Sequence, residues 1–152
     1  MSTRYRYYFE DFPPGKVIDC GERVLSEEEI VEFARQWDPQ PFHVDREAGG
    51  RSPYGGLIAS AWHTGCVMMR MACDAYLNDS SSVGSPGVED WRFLVPVRAG
   101  DALRGRVTVL EARASSSRPE LGIVKNLWQL INQRDEVVVS LIGTQFYLRR
   151  AQ

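Results

Sequence analysis

Gly55-Gly56-Leu57-Ile58-Ala59-Ser60-Ala61-Trp62-His63-Thr64-Gly65-Cys66-Val67-Met68-Met69 is the stretch on which the fold turns. After its glycine pair it runs thirteen residues without a formal charge at neutral pH. Apolar residues fall on most sides of its helical wheel, and a helix hydrophobic nearly all round has to be buried. It is shorter than the ~20 residues that a bilayer core demands, and Arg70 and Asp74 follow at a spacing that pairs them on one helix face. The stretch therefore predicts a buried central helix from Leu57 and no membrane span.

Downstream, residues 78 to 87 are rich in Ser, Gly, Asp and Pro, the composition of a loop. The periodicity then changes to two. Trp91, Phe93, Val95 and Val97 alternate with Arg92, Leu94, Pro96 and Arg98; Arg98-Ala99-Gly100-Asp101 turns the chain; Leu103, Gly105, Val107 and Val109 alternate again. Residues 115 to 119 make a further turn, 123 to 133 a third strand, Asn132-Gln133-Arg134-Asp135 a hairpin tip, and 137 to 148 a fourth strand, with an early one at 17 to 25. One buried helix followed by an antiparallel meander implies an α+β fold, the sheet wrapped around the helix, because this covers such a helix economically.

Upstream, Ser26-Glu27-Glu28-Glu29 is a capping box, and Ile30, Phe33, Ala34 and Trp37 form one apolar stripe, so a helix is expected over 27 to 37. It ends where Asp38-Pro39-Gln40-Pro41-Phe42-His43 begins, since two prolines remove donors and push the residues before them away from helical geometry. Asp45 and Glu47 open a short helical turn. Asp38 and His43 thus share a stiff loop that sets an oxygen acceptor beside a group able to give or take a proton near neutral pH. That combination suits adding or removing water. Asp38 also faces the negative end of a helix dipole, which disfavours its charge by roughly 0.3 to 1 kcal/mol and predicts a raised share of the protonated form.

The 152 residues fit one domain, 1–152, and the formal net charge is −2. There is no basic block and no stripe of Lys and Arg with interleaved aromatics, which excludes a nucleic-acid footprint. The opening Met1-Ser2-Thr3-Arg4-Tyr5-Arg6-Tyr7-Tyr8 is unlike an export signal, and with three cysteines, Cys20, Cys66 and Cys73, the chain reads as reduced and cytoplasmic. No Cys/His cluster has zinc spacing, no glycine loop has the phosphate-binding pattern and no serine sits in a nucleophile elbow, so neither metal nor redox cofactor is expected.

Asp38-Pro39-Gln40-Pro41-Phe42-His43-Val44-Asp45, the Gly-Leu-Ile entry to the central helix and the segment from Phe93 to Asp101 resemble the MaoC-like, (R)-specific enoyl-CoA hydratases of the hotdog fold. The resemblance covers most of the chain. It implies that Asp38 and His43 are the catalytic pair, placing and deprotonating water and protonating the neighbouring carbon in reversible hydration of a trans-2-enoyl thioester. It places the thioester oxygen at the Ala61 amide, where Ser60-Ala61 matches the family's His-Gly, and puts Cys66 where the family has a serine and Gln40 where it favours Asn. Ser60, Ala61 and Cys66 are accordingly the expected substrate contacts. Coenzyme A or an acyl carrier protein would enter as part of the substrate, with a surface Arg or Lys taking its phosphate, and the chain would form a homodimer or dimer of dimers.

Competing roles exist for several of these groups. Asp38 can simply start an Asp-Pro turn, and His43 can be a loop histidine satisfied by a carbonyl. Ser60 can bond a carbonyl one turn back, Cys66 can pack as a small hydrophobe, and His63, Trp62, Met68, Met69 and Met71 read as core. Two other activities fit the same fold: a thioesterase, against which stands the lack of Asp or Glu between Leu57 and Arg70, and a non-catalytic acyl-thioester binding subunit, against which stands the intact Asp38 and His43.

Overall fold

The computed structural model describes residues 4–151. Met1 to Thr3, part of the segment read for an export signal, and Gln152 lie outside them. A turn at Phe9–Asp11 precedes β1 (Val17–Val24) and α1 (Glu27–Trp37); two short helices, α2 (Pro41–Val44) and α3 (Arg46–Arg51), lead to the central α4 (Ala61–Ala72). The chain then supplies β2 (Ser82–Phe93), β3 (Ala102–Ala114), β4 (Leu121–Ile131) and β5 (Val137–Leu148). These strands form one antiparallel sheet in the order β1-β3-β4-β5-β2. The expected α+β architecture, a helix against an antiparallel sheet, is what the chain adopts.

Local chemistry accounts for the elements. Ser26 accepts from the Glu29 amide while the Glu29 carboxylate accepts from the Ser26 amide, so α1 begins and ends as its sequence predicts. Alternation in β3 buries Leu103, Val107 and Val109 on the face toward α4. Asn132 Oδ1 accepts from the Arg134 and Glu136 amides and closes the β4–β5 hairpin at the expected tip. The core lies between this sheet face and α4, with Trp128, Tyr147, Phe12 and Leu130 almost wholly enclosed and Phe12 stacked on Tyr147 at 4.4 Å. Gly105 lets α4 come close: a Cβ there would lie 3.2 Å from the Met71 methyl.

Several expectations change. The central helix starts at Ala61, not Leu57, because the Ile58 amide donates to the Phe42 carbonyl and the Ala59 amide to the Val97 carbonyl, which holds 57–60 extended. Nor is α4 buried all round: Met68 and Met71 are core, but Trp62, Cys66 and Met69 form an exposed stripe along its outer side. The Ser- and Gly-rich loop is largely strand. β2 absorbs Gly84 and Gly87, both at positive φ, as irregularities in its pairing with β5, which an edge strand tolerates. It ends at Phe93, so Leu94 to Val97 is an irregular extended segment rather than strand, and the third predicted strand lies two residues earlier, at β4. After Asp38 the chain leaves α1 as expected, yet Pro41 starts a helical turn of its own, a position where its missing N–H costs nothing.

α3 packs directly on the strap that precedes α4. A Cβ at Gly49 would lie 2.7 Å from the Leu57 nitrogen and 2.9 Å from the Gly56 oxygen, so backbone meets backbone and neither side can yield by a rotamer change. Gly49→Ala is expected to destabilise the protein by about 1–3 kcal/mol, read as a lower midpoint of denaturant unfolding; an unchanged midpoint would show that the strap moves freely.

Candidate active site

Asp38 is the C-terminal cap of α1, and its backbone leaves helical geometry (φ −153°, ψ 69°) while its amide still bonds the Ala34 carbonyl. Pro41 then turns the chain through α2, which carries His43 back toward the cap. Asp38 Oδ2 and His43 Nε2 stand 3.3 Å apart. His43 is buried, and its Nδ1 lies 2.7 Å from the Ile58 carbonyl oxygen. A carbonyl only accepts, so Nδ1 carries hydrogen and Nε2 is left as the nitrogen that exchanges a proton beside Asp38. The carbonyl-satisfied histidine and the acid-paired histidine are thus the same residue, one role for each nitrogen.

Two donors converge on the carboxylate: Ser60 Oγ donates to Asp38 Oδ2 at 2.7 Å and Gln40 Nε2 to Oδ1 at 2.7 Å. Burial works against ionisation of Asp38, but the bonds from Ser60 and Gln40 and the nearby imidazole outweigh it and hold the carboxyl below its ordinary value. The expectation of a more protonated Asp38 is therefore overturned. Hydrogen bonds to a charged group contribute about 1.5–3 kcal/mol each, which exceeds the effect of one helix dipole.

Ser60 is the N-cap of α4, yet its hydroxyl caps no amide because it is committed to Asp38. It neither bonds a carbonyl on its own helix nor lies free for a ligand. The first turn of α4, beginning with Ala61, keeps amides without intrahelical partners, and this end of the helix borders a cavity of about 550 Å³. Asp38, His43, Ala61 and Thr64 line that cavity together with the irregular segment 94–97. Phe42 and Tyr54 flank it, 5.4 Å apart, and the Arg98 guanidinium donates to the Tyr54 carbonyl beside them. The arrangement can hold a water between an acid and an imidazole and an anionic oxygen at a helix start.

The structure brings Asp38, His43, Ser60 and Ala61 together and leaves Cys66 apart. Cys66 is exposed on the outer side of α4, not among the residues lining the cavity, since it lies a turn and a half along the helix from Ala61. His63 is buried and stacked on Phe33, rings 4.6 Å apart and nearly parallel, where burial lowers its pKa. Sequence reasoning did not foresee Gln40 and Ser60 as partners of Asp38, or the Ile58 carbonyl as partner of His43. Ser60 and Gln40 entered the sequence reading only through their positions in the family pattern, and nothing there pointed to the Ile58 carbonyl. Among the described residues no group of three or more His, Cys, Asp and Glu side chains gathers as a metal site, and no helix is long and apolar enough to cross a membrane.

A helix packed against a five-stranded antiparallel sheet is the hotdog architecture. Residues 11–128 match the family model described as the MaoC like domain, and the chain belongs to that family. A MaoC-like dehydratase from Rhodospirillum rubrum superposes with a TM-score of 0.89 at 36% identity, over 95% of this chain and 99% of that one. The R-hydratase PhaJ1 from Pseudomonas aeruginosa shares the fold, with a TM-score of 0.76 at 20% identity over 94% and 86% of the two chains. The uncharacterized protein YdeM of Bacillus subtilis is 28% identical over 83% of this chain and 88% of its own.

Ser60→Ala removes a bond that favours the charged carboxylate, so the Asp38 pKa should rise. A pKa held below 3.8 in the fold contributes stability that is present above pH 3.8 and is lost as pH falls through the folded value. The variant should lose part of that contribution. Titration of the Asp38 carboxyl by NMR in both proteins checks the direction; an unmoved or lower value would refute it.

Proposed function

We propose that the protein catalyses reversible hydration of a trans-2-enoyl thioester, carried on coenzyme A or an acyl carrier protein, to the (R)-3-hydroxyacyl thioester. The observation that carries the proposal is the Asp38–His43 pair, 3.3 Å apart, at the wall of a 550 Å³ cavity that also meets the uncapped start of α4. Family membership and the names of two relatives, a MaoC-like dehydratase and an R-hydratase, support the reaction class.

In the hydration direction a water lies between Asp38 and His43 and gives one proton to the pair as its oxygen bonds the β carbon. The π electrons of the double bond move toward the thioester, whose oxygen gains negative charge and is stabilised by the Ala61 amide. The pair then returns a proton to the α carbon, so water is consumed and the pair ends as it began. Two close titrating groups share their protonation states, and the proton that moves first belongs to the pair rather than to either residue. Asp38, kept charged by Ser60 and Gln40, is suited to accept; His43, fixed by the Ile58 carbonyl, is suited to relay.

The expected result is loss of the conjugated enoyl-thioester absorbance without thiol release. Asp38→Asn and His43→Gln should each lower kcat by about 10²–10⁴-fold. Thiol release in place of hydration would identify a thioesterase, and binding without turnover a non-catalytic acyl-thioester protein; either result would sink the proposal.

The functional unit in this reading is a homodimer. β2 ends the sheet, so its far edge lacks a strand partner among the described residues, and beside it Trp62, Met69, Val88 and Phe93 are each about half exposed. A long apolar edge is a liability that pairing with a second copy removes. Light scattering should give about twice the 17.2 kDa chain mass, and Val88→Lys should weaken the association by about tenfold or more. A monomeric wild-type protein would refute the pairing.

A further inference from the structure

A second cavity, of about 180 Å³, lies behind the one that holds Asp38 and His43. No residue lines both, yet the two linings abut along three elements. Thr64 gives way to Gly65 on α4, Phe93 to Trp91 on β2, and Val139 to Leu141 on β5. The two spaces are therefore one trough between α4 and the β5–β2 end of the sheet, interrupted at a single level.

The interruption is aromatic: Trp62 and Phe93 line the first cavity, and Trp91, which lines only the second, packs against both. Trp91 meets Trp62 edge to face, ring centres 5.1 Å apart at 84°, and lies 5.5 Å from the Phe93 ring. It rests on the helix where α4 has no side chain: a Cβ at Gly65 would come within 2.5 Å of Trp91 Cζ2. Its Nε1 is buried and has no hydrogen-bond partner among the described residues, so packing alone places the ring. Gly65 and Trp91 are complementary, the one clearing the space that the other closes.

We propose that Trp91, packed behind the Trp62 and Phe93 side chains that line the acyl cavity, backs its end wall and fixes the length of chain the protein accepts, making it selective for short trans-2-enoyl thioesters. This rests on the acyl-thioester reading of the Asp38–His43 cavity. A chain end that passes Trp62 and Phe93 has to displace the indole packed behind them, whose buried surface is several times that of a methylene, so the first methylenes beyond the limit lose more contact than they gain. Behind the wall stands a second space that is mainly apolar, with Met68, Trp128, Leu141 and Gly143 on its sides and Ser85 and Gln145 as its polar groups. One substitution should therefore join the two spaces without rebuilding the fold.

The test compares Trp91→Leu and Trp91→Ala with wild type, each checked for cooperative melting, on trans-2-butenoyl-, hexenoyl-, octenoyl- and decenoyl-CoA. Wild type is expected to fall off in kcat/KM by about tenfold or more between the shorter and the longer pair, and both variants to raise the long-to-short ratio by about tenfold or more, Ala more than Leu. A ratio within twofold of wild type in a folded variant would overturn the proposal, as would a wild-type preference for the decenoyl substrate. Should Trp91→Ala fail to fold, Trp91→Leu carries the comparison. Dissociation constants of the matching saturated acyl-CoAs read the same wall without turnover. If no chain length is hydrated but the variants still shift binding toward longer chains, the hydratase reading fails and the wall stands; if hydration proceeds and neither ratio moves, the wall fails alone.

Discussion

The Ser60 hydroxyl has one proton to donate and gives it to Asp38. As the residue before α4 it stands where a serine side chain ordinarily accepts from an amide of the first helical turn, and here it caps nothing. Committing the hydroxyl elsewhere costs α4 about 1 kcal/mol of capping, while the bond to a partly buried charged carboxylate contributes about 1.5–3 kcal/mol. The exchange is favourable for the fold and has two consequences for the cavity. The acid stays ionised although it sits at the wrong end of a helix dipole, and the start of α4, at the border of the cavity, keeps amides that no side chain caps. One side chain thus bears on both the charge of the acid and the uncapped start of the helix.

The geometry around that bond depends on short backbone contacts that hold 57–60 extended. The Ile58 amide donates to the Phe42 carbonyl, and the Ile58 carbonyl faces His43 Nδ1, so one residue is tied twice to α2. The Ala59 amide donates to the Val97 carbonyl and anchors the strap to the segment beyond β2. Had the helix begun at Leu57, these amides and carbonyls would point along its axis and the imidazole would lose the partner that fixes its tautomer. The strap is why acid, imidazole and helix start meet at one wall.

Elements with a strong local code were legible in the sequence. The capping box and 3.6-residue stripe placed α1 at both ends, and alternation placed β3 and β5. The failures share a physical cause, which is that a partner distant in sequence overrode local preference. Leu57-Ile58-Ala59 has the composition of a buried helix and is held extended by Phe42 and Val97. The Ser- and Gly-rich segment reads as loop, yet β5 offers it a ladder that tolerates irregularity. Asp38 and His43 were legible because their spacing and two prolines are local. Gln40, two residues from Asp38, was seen only as a departure from a pattern, and the Ser60 bond spans 22 residues, a separation on which no periodicity bears.

Glycine placement then explains how one short helix borders both packed core and open cavity. At Gly105 the sheet gives up a side chain and Cys20 and Met71 share the space, so the C-terminal half of α4 seats closely on β3. At Gly65 it is the helix that gives up the side chain, and the Trp91 indole of the edge strand lies in the gap. Before Gly65 the trough widens into the cavity at Asp38 and His43; after it lies the smaller apolar space. A larger residue at Gly65 would meet the Trp91 indole, and one at Gly105 would meet Cys20 of β1 and the Met71 methyl. The depth of the trough is therefore set by which of the two packed surfaces omits a Cβ, and the indole, held by no hydrogen bond, is the element of that wall whose replacement leaves both surfaces in place.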